Sequence, residues 1–480
     1  MSRSRIPAVA AIVALPALIV LAVLAMLAVI PTSASAQTPP AAAEKTKSLW
    51  EEHVLFAYIE NSYVWNLGKT GRGGSGHGVN ELRFYDFDAG YTFNIAEFSL
   101  KKDPSERYPF GYGLVVTAGI DSQKNHAIGI FRDDDDTFPF RNTAKFDLQE
   151  AYASWKFPVA EGLTLKAGKF VTLLGYEVIE APNNLNFSRS LIFSFAIPLT
   201  HVGALLTLQP TEWLSLTAGP VVGSDVADDN NSKMSVMGQV AVTAVKDLVA
   251  TVNFITGPEQ ALNNTNNRTV LDFIVTYTGI PKVTLGLNAD FGWEESEAAL
   301  VASGTRSRTD ASWWGLAGYA AYDWTEQLRT AVRAEYFSDA KGVRTAATAA
   351  GVGGRVSLWE VTATASYKIW RGLLGRLEYR HDEDTDSKFF KIRAPGRVPT
   401  SRSQDTVTVA LSYLFFRLGR DTSGGASCRS PRYPPTARPP VLKSIHASCS
   451  RSNVTLCALR VSNARCAARG LGMRVRVVVI

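Results

Sequence analysis

The sequence predicts an all-β fold: a transmembrane antiparallel up-and-down β-barrel of about 16 strands, with one long connection folded inward. Three observations predict it. Apolar and polar residues alternate in short runs from residue 53 to residue 416. The connections between runs are alternately tight and long. A secretory leader precedes them. The tight connections fall at 158–161, 209–211, 245–247, 279–281, 324–326 and 369–372. The long ones fall at 66–90, 121–145, 172–201, 223–234, 257–268, 293–312, 338–353 and 382–404. In a closed antiparallel barrel, all connections of one parity lie on one rim. Bacterial outer-membrane barrels have short periplasmic turns and long external loops. A soluble sandwich shows the same residue alternation but has no reason to sort its loops.

The leader has a basic start, Arg3 and Arg5, then an apolar stretch over 8–30. Ala34-Ser35-Ala36 forms a small-x-small cleavage site before Gln37. That is the pattern of a signal peptide over 1–36, followed by a periplasmic linker over 37–52. An uncleaved anchor is the alternative, because 23 apolar residues could span a bilayer. Pro7, Pro16 and the Ala-x-Ala site favour cleavage. Past residue 36 no apolar run is long enough for a membrane helix, so strands must do the spanning.

The net charge of +6 conceals a division. Residues 417–480 hold 12 Lys and Arg against one acid, Asp421, and the leader adds +2. The body over 37–416 therefore carries −7, which removes the basic average as a reason to expect nucleic acid as a partner. Cys428, Cys449, Cys457 and Cys466 all lie in the tail, so the body has no disulfide or thiolate chemistry. The barrel is expected to close on a strand at 405–416, carrying Val407, Val409, Leu411, Tyr413 and Phe415. The 417–480 tail lacks strand alternation and reads as a disordered basic segment, either a read-through or frameshift product or a periplasmic extension.

Polar positions at period two mark the barrel interior. Glu97, Ser99 and Lys101 oppose Ala96, Phe98 and Leu100. Glu150, Tyr152, Ser154 and Lys156 oppose Ala151, Ala153, Trp155 and Phe157. Thr284, Asn288 and Asp290 oppose Leu285, Leu287 and Phe291. Arg329, Arg333 and Glu335 oppose Val332, Ala334 and Tyr336. Glu360, Thr362, Thr364, Ser366 and Lys368 oppose Val361, Ala363 and Tyr367; Arg376, Glu378 and Arg380 oppose Leu377 and Tyr379. With Lys166 and Asp272 added, the interior holds eight cations against seven anions, a near-tie that predicts weak ion preference. A dry core could not hold so many charges unpaired, whereas a 16-stranded barrel is wide enough for water. Arg329, Arg333, Arg376 and Arg380 form either a basic ladder facing an acidic loop or cross-strand ion pairs in the wall. Tyr58, Phe157, Trp213, Phe291, Trp324, Tyr367, Tyr413 and Phe415 suit aromatic girdles at the interfaces.

The 172–201 connection is too apolar for a solvated loop. Leu173, Leu174, Ile179, Leu185, Phe187, Leu191, Ile192, Phe193 and Phe195 need burial. Folding into the barrel provides it and leaves Glu177, Glu180, Asn183, Asn184 and Arg189 as the polar groups of a constriction; packing over the rim or on a neighbouring protomer is the alternative.

Gly175-Tyr-Glu-Val-Ile-Glu-Ala-Pro-Asn-Asn-Leu-Asn-Phe-Ser-Arg-Ser190 resembles a stretch of the OmpL-like putative beta-barrel porin family. Gly168-Lys-Phe, Pro198-Leu-Thr-His-Val-Gly, Asn94-Ile-Ala-Glu-Phe-Ser-Leu, Gly119-Ile-Asp, Phe146-Asp-Leu-Gln-Glu-Ala-Tyr and Arg376-Leu-Glu-Tyr-Arg are similar too. The likeness spans about 53–416. It implies an outer-membrane pore of Gram-negative-type bacteria and no defined substrate.

Other signals are weaker. Asp133–Asp136 in an external loop could hold a divalent cation or be a solvated tip, and Asp225, Asp228 and Asp229 offer a fainter version. The glycine-rich 71–78 stretch lacks the strand–turn–helix setting of a phosphate loop. No HExxH or GxSxG occurs, so no catalytic residue, cofactor or metal ligand is assigned. The expectation is a passive diffusion channel for small hydrophilic solutes and ions. A porin preferring sugars or small anions, and a non-conducting barrel serving as enzyme, adhesin or receptor, are the alternatives. Expected partners are outer-membrane lipid and lipopolysaccharide, the barrel-assembly machinery and periplasmic chaperones during biogenesis, and two further copies in a homotrimer.

Overall fold

Alternation at period two puts successive side chains on opposite faces of a strand, and here the strands close on themselves. The computed structural model describes residues 52–68, 80, 83, 85–86, 89–130, 144–159, 162–300, 306–345, 355–386, 390 and 401–418. The leader, the basic tail beyond 418, Asp133–Asp136 and the 71–78 stretch lie outside the described residues. Among the described residues there are sixteen strands: β1 (His53–Asn66), β2 (Gly90–Lys102), β3 (Phe110–Ala118), β4 (Phe146–Lys156), β5 (Thr164–Val171), β6 (Thr200–Thr211), β7 (Leu214–Val221), β8 (Ser235–Val242), β9 (Leu248–Pro258), β10 (Asn267–Tyr277), β11 (Val283–Leu300), β12 (Arg306–Asp323), β13 (Leu328–Asp339), β14 (Val356–Trp370), β15 (Leu373–Asp384) and β16 (Ser403–Leu418). Each pairs antiparallel with its neighbours in sequence, and β1 also pairs with β16, which closes the barrel.

The two rims differ as the loop lengths require. One carries tight links such as 212–213 and 371–372, the latter turning through Gly372 at φ +74°. The other carries the long connections, with one correction. The expected 293–312 loop is mostly strand: β11 runs on to Leu300, opposite Arg306 of β12. One arm of that hairpin is acidic in sequence (Glu294, Glu295, Glu297) and the other basic (Arg306, Arg308). The backbone ladder thus runs on where apolar alternation has stopped.

The faces sort cleanly. Phe98, Trp155, Leu287, Val332, Val361 and Leu377 are exposed on the outside, as a lipid-facing band would be. Their neighbours Glu97, Ser154, Asn288, Arg333, Glu360 and Arg376 are buried on the inside. Trp213, Trp324, Tyr367 and Phe415 lie exposed near strand ends. Tyr58 does not join that girdle: it lies on the inward phase of β1 with Glu60 and Ser62, and the ring is buried within the barrel. Among the described residues no helix is long and apolar enough to cross a membrane.

The hydrophobic core lies inside the barrel. The segment between β5 and β6, residues 172–199, folds inward and holds a short helix, α1 (Leu191–Phe195), whose Phe193 N–H donates to Ser190 Oγ at 3.1 Å. Leu174, Tyr176, Ile179, Leu185, Ile192, Phe193 and Phe195 pack against inward-facing Phe170, Leu205, Met237, Ile255, Val270, Ile274, Trp313, Tyr319 and Phe337. Burial of that apolar set, at roughly 1.5–3 kcal/mol per large side chain, drives the segment into the barrel.

Candidate functional site

Irregular backbone inside a barrel brings N–H and C=O groups that must find partners at membrane depth. The wall charges supply them. Asp272 Oδ2 accepts from Gly175 N–H at 2.8 Å and Asn288 Oδ1 from Tyr176 N–H at 3.0 Å. Glu378 accepts from Phe187 and Ser188 N–H at 2.6 and 3.0 Å. Glu335 accepts from Leu191 and Ile192 N–H at 2.5 and 3.1 Å. Arginines serve the carbonyls. Arg376 donates to Ala181 O at 2.6 Å and Asn184 O at 2.8 Å, Arg380 to Arg189 O at 2.6 Å, and Arg333 to Ser188 O at 2.6 Å. Such charge-assisted bonds are the strong ones.

The same side chains pair with each other. Arg333 reaches Glu177 and Glu360, both at 2.6 Å; Arg380 reaches Asp382 at 2.7 Å and Glu360 at 3.4 Å. The near-tie of interior charge thus has a structural cause on β13–β15: carboxylates cap the donors of the loop and arginines cap its acceptors. Of the two expectations for these arginines, Arg333 and Arg380 make ion pairs in the wall, and Arg333, Arg376 and Arg380 are 0–6% exposed and bonded to the loop.

Small residues complete the seat. Gly175 holds φ +95°, which favours glycine, as its N–H turns toward Asp272. A Cβ on Gly315 would lie 2.2 Å from Ile192 Cγ2, so glycine on β12 admits α1. The Tyr176 ring stacks on Tyr319 at 4.3 Å.

The opposite wall is different. On β1–β4 the interior carries Tyr58, Glu60, Ser62, Glu97, Thr117, Asp147 and Glu150, all buried. The loop touches this wall sparsely: Gln149 Nε2 donates to Glu180 Oε1 at 2.7 Å, and Glu150 Oε1 accepts from Val171 N–H at 3.4 Å, just ahead of the loop. Lys101 pairs with Glu150 at 2.5 Å, Lys169 with Asp147 at 3.6 Å, and Ser412 Oγ donates to Glu60 Oε2 at 2.6 Å. At the long-loop end Arg189 lies over the Tyr85 ring at 4.6 Å, and Arg83 pairs with Asp382 at 2.9 Å. Burial pushes the Asp86 carboxyl up to about 6 and that of Asp121 up to about 7, outweighing the pull of nearby Arg83 and Arg189 on Asp86 and of Arg189 on Asp121. Toward the short-turn rim lie Lys156 (3.7 Å from Glu106), Lys166 (4.6 Å over the Tyr152 ring), Arg329 (2.7 Å from Asp323) and exposed Lys368.

The sequence-predicted residues therefore fall into three groups. Asp290, Arg333, Glu335, Glu360, Arg376, Glu378 and Arg380 lie at the loop's seat, with Asp290 facing Asp272 in register. Glu97, Lys101 and Glu150 lie on the opposite wall, and Lys156, Lys166, Arg329 and Lys368 toward the short-turn rim. Within the loop, Asn183 is exposed and Glu180 half-buried, while Glu177, Asn184 and Arg189 are buried. Asn184 ties back to Val178 through both its amide atoms, at 2.9 and 2.7 Å. Arg189 donates to Phe187 O at 3.0 Å and to Ile179 O. Sequence reading missed Glu60, Asp147, Asp382 and Arg83. Alternation with Tyr58 and Ser62 could have given Glu60; Arg83 sits in a loop, where no period exists to find it.

The chain matches the family described as "Putative beta-barrel porin-2, OmpL-like" over residues 55–415, and it belongs to that family. No curated protein sequence matches it. Among solved structures, an anion-selective porin from Comamonas acidovorans superposes with a TM-score of 0.50 at 10% identity, covering 76% of this chain and 99% of that one. Salmonella typhi OmpF in complex with daunomycin gives 0.51 at 14% identity, covering 77% and 100%. At such identities these structures share the fold.

Proposed function

We propose that this OmpL-like porin of the bacterial outer membrane is a size-limited channel whose bore is set by the 172–199 loop. Passive diffusion of small hydrophilic solutes and ions is the function of the barrel; the loop determines what is small enough. One observation carries the reading: wall groups from Asp272 on β10 to Arg380 on β15 bond the loop backbone on both its donor and acceptor sides. A loop lying over the rim would have no need of them. Solute then meets Lys101, the loop groups Glu180 and Asn183, and the basic groups Lys156, Lys166, Arg329 and Lys368 toward the periplasmic mouth. The channel is proposed to work as a homotrimer, an assembly common among barrels of this size, which cross-linking in detergent would test.

Liposome swelling with sugars of increasing size tests the constriction. The expected result is a sharp cut-off that moves to larger sugars when residues 180–189 are replaced by a short glycine–serine link. A cut-off unmoved by that exchange would remove the loop from the permeation path.

A further inference from the structure

Two facing carboxyls in the seat of the loop have no cation between them. Asp272 on β10 and Asp290 on β11 stand side by side in register, both 0% exposed, and their carboxyl groups lie within hydrogen-bonding reach of each other. Asp272 is surrounded by donors. Its Oδ2 accepts from Gly175 N–H at 2.8 Å and from Asn253 Nδ2 at 2.7 Å, and its Oδ1 accepts from Asn288 Nδ2 at 2.6 Å. Gln239 Nε2 donates to Asn253 Oδ1 at 2.7 Å, so the amides of β8 and β9 hand their donors on toward Asp272. A carboxylate has about four acceptor sites, which leaves one on Oδ1. Asp290 is the reverse case: among the described residues no donor reaches either of its oxygens.

Nothing around the pair balances a second negative charge. Gly315 is the β12 residue in register with Asp290. On β13, Glu335 is bonded to Leu191 and Ile192 N–H, and Arg333 to Glu177 and Glu360. The loop brings Gly175 and Tyr176, whose ring stacks on Tyr319. Neither aspartate forms an ion pair among the described residues. Two anions buried together without a cation are far more costly than one anion beside one neutral acid. Asp272, with three donors, is the anion; Asp290, with none, is the acid. We infer that the two aspartates hold one proton between them, donated by Asp290 to Asp272 Oδ1, and that this proton latches the start of the constriction loop. The latch acts through Gly175, bonded to Asp272, and Tyr176, bonded to the same Asn288 that donates to Asp272. When the proton leaves to bulk water at alkaline pH, two like charges face each other beneath that turn and loosen it, and the bore widens. The effect on the bore rests on the channel reading above; the shared proton does not.

Infrared difference spectroscopy of the full folded chain at neutral pH tests the proton. Wild type should show one protonated-carboxyl C=O band that Asp290→Asn lacks. No such difference, as for two carboxylates bridged by a metal ion, overturns the inference. Asp290→Asn replaces the acid O–H with an amide N–H donor, so it should fold with the loop in place. Should it not fold, Asp290→Ser, which also brings a donor, carries the same comparison. Single-channel conductance tests the latch. From about pH 7 to about pH 10 it should rise by about 1.5-fold more in wild type than in Asp290→Asn. An equal change in both chains overturns the latch. Absence of any current in either chain overturns the channel reading, while the infrared band still decides for or against the proton.

Discussion

The two sides of the barrel interior use their polar residues differently. On β13–β15, arginine and glutamate are matched to each other and to the backbone of the 172–199 loop. On β1–β3, Tyr58, Glu60, Ser62, Glu97 and Thr117 keep polar atoms that nothing described engages. Interior charge in a barrel can therefore solvate a folded-in loop, and residue type does not reveal which charges do so. Bonding does.

The comparison breaks most visibly at Arg333. Its guanidinium serves Glu177, Glu360 and Ser188 O with no exposure. Arg333→Ala leaves buried Glu177 without its cation and Glu360 with Arg380 alone, a loss of about 3–5 kcal/mol. The heat-resistant folded band of the barrel on a gel should weaken or vanish; a band as robust as wild type would mean the web contributes little. Arg376→Met is next. It strips the Ala181 and Asn184 carbonyls of donors at about 1–3 kcal/mol, freeing one stretch of loop while the barrel survives. Protease added from the long-loop side should then cut near 181–186. Continued resistance would show that apolar packing alone holds the loop. Gly175→Ala follows, strained at φ +95° by about 1–2 kcal/mol. It should lower the thermal midpoint by a few degrees, and an unchanged midpoint would mean the backbone relaxes there.

The smallest effect is a pH dependence at the long-loop end. Asp86 and Asp121 are raised to about 6 and about 7 by burial, so the folded protein holds protons that the unfolded chain gives up near pH 4. Their contribution to stability is complete below the unfolded value and is lost as pH rises through 6 and 7. Thermal stability should increase as pH falls from 7.5 to 5, and Asp121→Asn should flatten the upper part of that slope. A stability that falls over the same window would assign these carboxyls the opposite environment.

Much of this was legible in the sequence. Alternation gave the faces of Glu97–Lys101, Arg329–Glu335 and Arg376–Arg380, because a pleat has only two sides. Loop lengths gave the rims, and the apolar load of 172–199 gave its inward fold. What alternation could not give was occupancy. Arg333 and Lys368 read alike as inward cations, yet one is tied within the web and the other is exposed at the rim. That outcome depends on where an irregular loop sends its carbonyls, which no period encodes. The extension of β11 and β12 was hidden for a related reason: the arms are charged rather than alternating, so the run looked like loop. Tyr58 belongs with Glu60 and Ser62 on the inward phase of β1, a pattern its aromatic side chain masks.

Single-channel conductance of the full chain, compared with the same chain in which 180–189 is replaced by a short flexible link, bears most directly on the idea that a charge-anchored loop sets the bore. A severalfold increase is expected, with the barrel still heat-resistant on a gel. Equal conductance from an intact barrel would contradict it.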